Sequence, residues 1–599
     1  MSKSATKNIS RNNESSYTET KEEKEENSTG SVAHTKPETP TLKLKNLYKS
    51  QNVIPQLIEV LADKKREQSI EDYYVKLNIL LSTDNSSLVS SESVNGKKEE
   101  IELGDIFDKA KDKQTNKILI LGGAGVGKST LMQYVAHQWG SDKLWKDKFD
   151  CVYKITFKQL LLSDCQDFVK EFQRERDLGQ DRMLKAFIAF NIEDNTDKAY
   201  DLVKSNQIEL NDKTLLLIDG YDEVQHLDDK GVFKSIKDSI LAHSQIIMTT
   251  RPNAADSAFK SNFGVLIENA GLDSNGISEY LDKYFQDKID EKNLVQEFLN
   301  KSPNIKEICK IPVNIAMLCS ILSEHYESGE NSESLDSISN MGDLYHEMVT
   351  TLGKRFFAKT EKYTKDKNKS ELQGNLKGVF NIDELKVLEH LAWNSFVNQD
   401  ALILKGSANN KEDTNEPTLL SAINHVVESE HLTIETKPSL LDVYKYGLLK
   451  KELLKSANSD AENIDKQDKE LEEQLFTFIH LTFQEYLTSY KLKELLKTAI
   501  KDNNQEAIYE ACKFLADNRD NPKYLVVLKF MSGLISKEGN ADLTQAFWES
   551  MTCNIEGVID LGEDRKIDLF MNLLGQVSKD KLKDIANIEK ITAFIDYKV

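Results

Sequence analysis

Leu119-Ile120-Leu121-Gly122-Gly123-Ala124-Gly125-Val126-Gly127-Lys128-Ser129-Thr130 decides how this chain is read. An apolar run breaks into glycines and ends on a basic residue and two hydroxyls, fitting G-x-x-x-x-G-K-[ST]. Ile118 to Leu121 read as a buried parallel strand. The loop Gly122, Gly123, Ala124, Gly125, Val126, Gly127 is small enough for its backbone N–H groups to wrap a polyphosphate without Cβ clashes. Lys128 is then placed for the β and γ phosphates, and Ser129 for a Mg2+ ion. Ser129 and Thr130 open a helix through Met132, Val135 and Ala136, whose N-terminal dipole faces the anion. A glycine-rich turn that binds nothing is the bland alternative; a strand before and a helix after argue against it.

Working outward, strands alternate with helical patterns from about 105 to 270. Candidate strands are Lys117 to Leu121, Cys151 to Phe157, Thr214 to Ile218, Gln245 to Thr249 and Val265 to Ile267. That alternation predicts an α/β core, a parallel sheet with helices on both faces, in which ligands bind at the carboxyl ends of strands. Two more motifs fall at such ends. Leu215-Leu216-Leu217-Ile218 delivers Asp219 to a position opposite Ser129, where it can hold Mg2+ directly or through water. Asp222 and Glu223 follow in the turn, where a carboxylate can polarise an attacking water. Ile246 to Thr250 delivers Arg251, whose guanidinium can reach a γ-phosphate and report its loss. A lone arginine after a strand is commonly a surface residue; its place after the other two motifs favours the sensor role.

Asp219-Gly220-Tyr221-Asp222-Glu223, with its small second residue and doubled acids, resembles the Walker B motif of NACHT-type NTPases, members of the signal-transducing STAND class and relatives of the NOD-like receptors. Gly276 to Leu281 resembles the start of that family's helical region. Ile311-Pro312-Val313-Asn314 is similar to its proline-containing helix, and Phe476 to Leu487 is similar to its winged-helix signature. The resemblance covers about 70 to 530. It implies ATP/ADP and Mg2+ as cofactors, Pro312 against the base and His480 at the β-phosphate of bound ADP. On periodicity alone His480 alternates with Phe476 and Phe478 on one strand face, the place of a hydrogen-bonded core histidine. The choice of ATP over GTP rests on the resemblance, because the loop reads phosphates only. The family is commonly bacterial or animal, and the Lys, Asn and Ile bias of this chain suits a bacterial source.

The organisation expected from composition is a polar disordered tail over 1–40, a helical segment and loop over 41–104 and the NTPase domain over 105–270. A small helical domain over 271–345 follows, then a winged-helix domain with polar insertions over 346–495 and a helical region over 496–599, so that the chain is mainly α outside its core. Tyr73, Tyr74, Leu77 and Leu80 recur at helical spacing and extend the helical expectation to about Ser82. The insertions Glu361 to Asn375, Ser407 to Pro417 and Ala457 to Gln474 read as loops. After 495 there is no legible ankyrin, leucine-rich or tetratricopeptide repeat, and no effector domain is read before the core, a departure from the family's usual plan.

At 599 residues the chain needs several cores; 39% hydrophobic residues supply them, and 30% charged residues imply large solvated surfaces. A net charge of −21 repels polyanions, which disfavours nucleic acid and a nucleic-acid motor. The six cysteines form no C-x-x-C pair, and no apolar run is long enough for a signal peptide or membrane span, so a cytoplasmic protein is expected. Two classes of function fit. One is a nucleotide switch, ADP-locked and closed, that opens and self-associates on exchange to ATP, with weak, slow ATPase activity and an unknown protein partner. The other is a helical interaction scaffold carrying a structural nucleotide that does not turn over.

Overall fold

Seven strands make the principal sheet among the described residues: β1 (Ile79–Leu81), β2 (Glu99–Glu100), β3 (Asn116–Gly122), β4 (Cys151–Thr156), β5 (Thr214–Asp219), β6 (Gln245–Thr250) and β7 (Val265–Asn269). The computed structural model describes residues 39–52, 79–81, 99–111, 116–175, 181–227, 231–328, 338–359, 382–398, 404–406, 418–432, 437–452, 474–552 and 563–585, with a few single residues and pairs between them. The strand order is β2-β1-β7-β3-β6-β5-β4. From β7 to β4 every pairing is parallel, and β1 and β2 extend the sheet antiparallel. Ile118 to Leu121, Leu215 to Ile218 and Ile246 to Met248 are buried without alternation, which happens only when helices cover both faces.

Register brings the motifs together. Leu121 pairs with Thr250, Ile218 with Met248 and Thr156 with Asp219, so the carboxyl ends of β3, β6, β5 and β4 lie side by side. Strand β6 sits between β3 and β5, and Arg251 therefore emerges between the glycine loop and Asp219. The expected strand cores agree with those observed; four real strands run one or two residues further, and β4 ends one residue short, at Thr156, because Phe157 opens a 3-10 turn.

The reading of a helix up to Ser82 is corrected. Ile79–Leu81 is a strand, pairing with Ile267–Asn269 of β7 on one side and with β2 on the other. Its three consecutive apolar residues satisfy a helical stripe and a buried strand equally, and the open ladder of β7 selects the strand. The expected tail and the polar insertions lie outside the described residues, apart from Thr39, Pro40, Leu471 and Gln474.

Helix α1 (Pro40–Ser50), capped by Thr39 with proline at its first position, lies against α2 (Lys128–Gly140). It brings the Tyr48 hydroxyl to the exposed edge of β4, where it donates to Val152 O at 3.1 Å and accepts from Lys154 N at 2.8 Å. That hydroxyl fills one rung of an edge ladder and blunts it.

Beyond β7 the regular elements among the described residues are helices and one small sheet. Helices α3 (Ser274–Phe285), α4 (Pro312–Ser328), α5 (Met341–Lys359) and α6 (Asp383–Trp393) are followed by the antiparallel strands β8 (Leu404–Lys405), β9 (Leu449–Glu452) and β10 (Leu475–Phe478), with β10 central. Helix α7 (Leu481–Lys501) leaves β10 directly. It buries Phe483, Tyr486 and Leu487 in the core shared with the main sheet and Leu492 and Leu496 in a second core. That second core is built with α8 (Gln505–Asn518), α9 (Leu525–Glu538), α10 (Ala541–Thr552) and α11 (Glu563–Leu574). Among the described residues no helix is long and apolar enough to cross a membrane, and Cys151, Cys165, Cys309, Cys319 and Cys512 are free thiols.

Candidate functional site

The glycine loop turns from β3 into α2 through two left-handed residues, Gly125 (φ 76°) and Gly127 (φ 91°). Both conformations are strained for a residue with a Cβ. Gly122 is small for a different reason: the Lys128 side chain folds over it, and its Nζ donates to the carbonyls of Gly122 and Gly123 at 3.0 Å. A Cβ at Gly122 would sit 3.2 Å from Lys128 Cγ. Burial lowers the pKa of Lys128, opposed by the nearby Asp222 carboxylate. Ser129 and Thr130 stand in the first turn of α2, with Ser129 exposed.

Asp219 ends β5 at 6% exposure and accepts from Thr249 Oγ1 at 2.7 Å, while Gly220 N donates to that same hydroxyl at 3.1 Å. Thr249 thus locks the ends of β5 and β6 together. The chain then turns through Gly220 (φ 82°), where a Cβ would meet Glu223 Cδ at 3.2 Å. Glycine there lets the Glu223 carboxyl fold inward. Its Oε2 is buried with no hydrogen-bond partner among the described residues, and burial pushes its pKa up to about 7, with Lys158 pulling down and Asp222 pushing further up. A carboxyl at that value exchanges protons near neutral pH.

Arg251 is 20% exposed and gripped at two points. Its Nε lies 3.1 Å from Asp222 Oδ2, and its Nη1 lies 2.7 Å from Oε1 of Glu485 on α7. Its backbone N–H also donates to Asp222 Oδ1 at 3.2 Å. Burial works against the guanidinium charge, but Glu485 and Asp222 more than offset it and hold the pKa above the ordinary arginine value.

Two later segments close over the loop. Pro312 opens α4, and a Cβ at Gly125 would meet Val313 Cγ1 at 2.5 Å, Ile311 Cγ2 at 3.0 Å and His480 Cε1 at 3.6 Å. A Cβ at Gly127 would meet Leu77 Cδ1 at 3.3 Å and Pro312 Cγ at 3.8 Å. His480 caps α7: its Nδ1 accepts from Thr482 N at 3.2 Å and lies 2.7 Å from Thr482 Oγ1, which in turn accepts from Tyr345 Oη at 2.7 Å. With Nδ1 accepting, the proton of the neutral ring is assigned to Nε2. Burial, helped by Arg251 and Lys128, drives the pKa of His480 down to about 3 and keeps the ring neutral.

All the residues singled out in the sequence therefore meet at one edge of the sheet: Gly122 to Thr130, Asp219, Asp222, Glu223, Arg251, Pro312 and His480. Sequence reasoning missed Glu485, Thr249 and Leu77. Glu485 carried a signal, an acid between Phe483 and Tyr486 on a buried helix face, where a charge needs a partner. Thr249 and Leu77 are ordinary in sequence and gain meaning only from register. The cradle fits a polyphosphate: Gly125 and Gly127 hold the left-handed turns of the loop, α2 points its N-terminus at it, and Lys128 supplies a cation. Ser129 and Asp219 suit Mg2+, which keeps several waters and takes few protein ligands; among the described residues no cluster of three or more His, Cys, Asp or Glu offers a fuller metal cage.

Residues 116–288 match the NACHT domain family. The chain is 22% identical over 261 residues to protein NLRC5 of Homo sapiens, which covers 42% of the chain and 13% of that protein. It is 22% identical over 306 residues to NACHT, LRR and PYD domains-containing protein 10 of Mus musculus, covering 48% of the chain and 40% of that protein. It is 24% identical over 252 residues to NACHT, LRR and PYD domains-containing protein 1a allele 1 of Rattus norvegicus, at 38% and 19%. The match thus spans well under half the length of each of these relatives. The glycine loop, Asp219 and Arg251 all lie within the residues that match, so this site belongs to a stretch of the chain that is similar to the NACHT domain of the NOD-like receptor relatives.

Proposed function

We propose that the chain is a nucleotide-operated signalling switch, closed around ADP and opened by exchange to ATP, with weak Mg-dependent ATPase activity that resets it. The observation that carries this reading is the convergence of Pro312 and His480, from α4 and the start of α7, on Gly125 and Gly127 of the loop. A ligand held by the loop would touch both later segments as well, and its identity would bias how they pack. Such a device moves only if the two nucleotides bind the two arrangements with different affinity.

In this reading the loop N–H groups of Gly123 to Ser129 hold the phosphates, and Lys128 exchanges the carbonyls of Gly122 and Gly123 for phosphate oxygens. Ser129 and Asp219 would hold Mg2+, which would neutralise developing charge on the phosphates. Thr249 keeps Asp219 oriented. Glu223 receives the proton of the attacking water, a role its raised pKa supports, and Asp222 fixes Arg251, whose guanidinium stabilises charge on the transferred group. Pro312 would pack against the base, and the His480 Nε2–H would donate to the β-phosphate. The module of α5 to α7 with β8 to β10 serves as the winged-helix clamp, self-association and an unidentified protein partner provide the output, and the cytoplasm is the site of action.

Purified chain, denatured without added nucleotide, is expected to release ADP in a ratio near one per chain, and Lys128→Ala to release none. Glu223→Gln is expected to accumulate bound ATP. Wild-type chain that carries no nucleotide and binds none when offered would sink the reading in favour of a scaffold.

A further inference from the structure

We infer that Glu485 is a positioning residue that competes with the γ-phosphate for Arg251, so that the docked helix α7 holds the sensor arginine away from the nucleotide. The inference rests on the nucleotide-switch reading and adds the element that makes the site distinguish ATP from ADP. Arg251 has one planar fork and two carboxylates on it. Asp222 belongs to the same rigid edge as Arg251, because its other oxygen accepts from the Arg251 backbone N–H. Glu485 does not: it comes from α7, 234 residues further along the chain. A third anion reaching the guanidinium therefore displaces the partner that can leave, and that is Glu485.

The displacement has a consequence for α7. Glu485 is 1% exposed, its Oε2 has no hydrogen-bond partner among the described residues, and Arg251 is the one hydrogen-bonded cation the structure gives its Oε1. Without Arg251, a buried ionised carboxylate would be left beside Asp222 with only the charge of nearby Lys128 to offset it, an arrangement that a folded chain relieves by moving the group to water or neutralising it. Helix α7 also begins at His480, whose ring lies against Gly125. Loss of the Glu485 grip and loss of the His480 contact thus act on the same helix. By linkage the effect is reciprocal: docked α7 lowers the affinity for a nucleoside triphosphate by the factor with which the triphosphate loosens α7. A diphosphate, lacking the group that reaches Arg251, leaves the latch intact.

The test is the affinity of the full chain for fluorescent ADP and for a fluorescent non-hydrolysable ATP analogue, each with Mg2+, in wild type, Glu485→Gln, Arg251→Ala and the double variant. Glu485→Gln is expected to raise the ratio of ATP-analogue to ADP affinity by about fivefold or more, the usual range for coupling between sites. Affinity for ADP should stay within about twofold, and in the Arg251→Ala background Glu485→Gln should leave the ratio unchanged. A ratio equal in wild type and Glu485→Gln, or both nucleotides weakened alike, would overturn the inference while leaving the switch intact. Failure of the wild type to bind either nucleotide would overturn the switch and the inference with it. Should Glu485→Gln fail to fold by circular dichroism, Glu485→Asp, which withdraws the carboxylate by one methylene, is read on the same ratio with the same expected direction.

Discussion

Gly125 joins two demands at one residue. Its φ of 76° is poor for any side chain, and a methyl there would start 2.5 Å from Val313 Cγ1. Gly125→Ala is therefore expected to lose about 1–3 kcal/mol of stability, from the left-handed backbone and from pushing α4 off the loop. A thermal midpoint equal to wild type would contradict the tight seat. His480 gives a pH signature. Its pKa is depressed in the fold to about 3, so the unfolded ring takes up a proton below about pH 6.5 that the folded ring refuses. The stability it supports is present above pH 6.5 and is lost as pH falls toward 3, at no more than about 1.4 kcal/mol per pH unit. His346 and His390, both held down to about 4 by burial, act in the same direction, so the effect is read by difference. His480→Asn, which keeps a helix cap, should flatten the fall between pH 6.5 and 4 by up to one proton; an unchanged slope would show that the ring is not held neutral. Asp219 and Arg251 were legible because each sits at or just after the end of a buried strand, where chain direction alone aims it, and Lys128 because the glycine spacing before it is that of a phosphate loop. Glu485 pairs with a residue more than two hundred positions away, and no local pattern encodes that.

At the scale of elements, the buried parallel strands were readable because Leu215 to Ile218 and Ile246 to Met248 are continuous apolar runs too short for helices. Ile79–Leu81 was not, since three apolar residues at the end of a helical stripe carry no period of their own; the unpaired ladder of β7 decided it. The edge of β4 was equally invisible, because nothing in Tyr48 marks it as a tyrosine that will replace a strand. Its hydroxyl serves Val152 O and Lys154 N together, and it is buried. Tyr48→Phe should leave both backbone groups without that partner and cost about 1–3 kcal/mol, seen as a lower denaturant midpoint with an unchanged slope. A midpoint within error of wild type would mean that water replaces the hydroxyl and that α1 is held by its apolar contacts alone.

Over the whole molecule, α7 belongs to both cores, as does α9, whose Phe530 and Leu534 lie in the first and Leu528 and Met531 in the second. The first turns of α7 are buried with the main sheet and its later turns with the helices after residue 505. Movement of α7 away from the glycine loop would therefore carry the second core with it, which gives a nucleotide at the sheet edge leverage over most of the chain. The sequence announced a helical second half but not this shared helix, because amphipathic periodicity tells which face is buried and not what covers it. The most direct measurement is sedimentation velocity of the full chain with Mg2+ in saturating ADP and in a saturating non-hydrolysable ATP analogue. The account predicts a compact, slowly sedimenting species of single-chain mass in ADP, and an opened species that self-associates as concentration rises in the analogue. Identical sedimentation in both, with both nucleotides verified as bound, would contradict it.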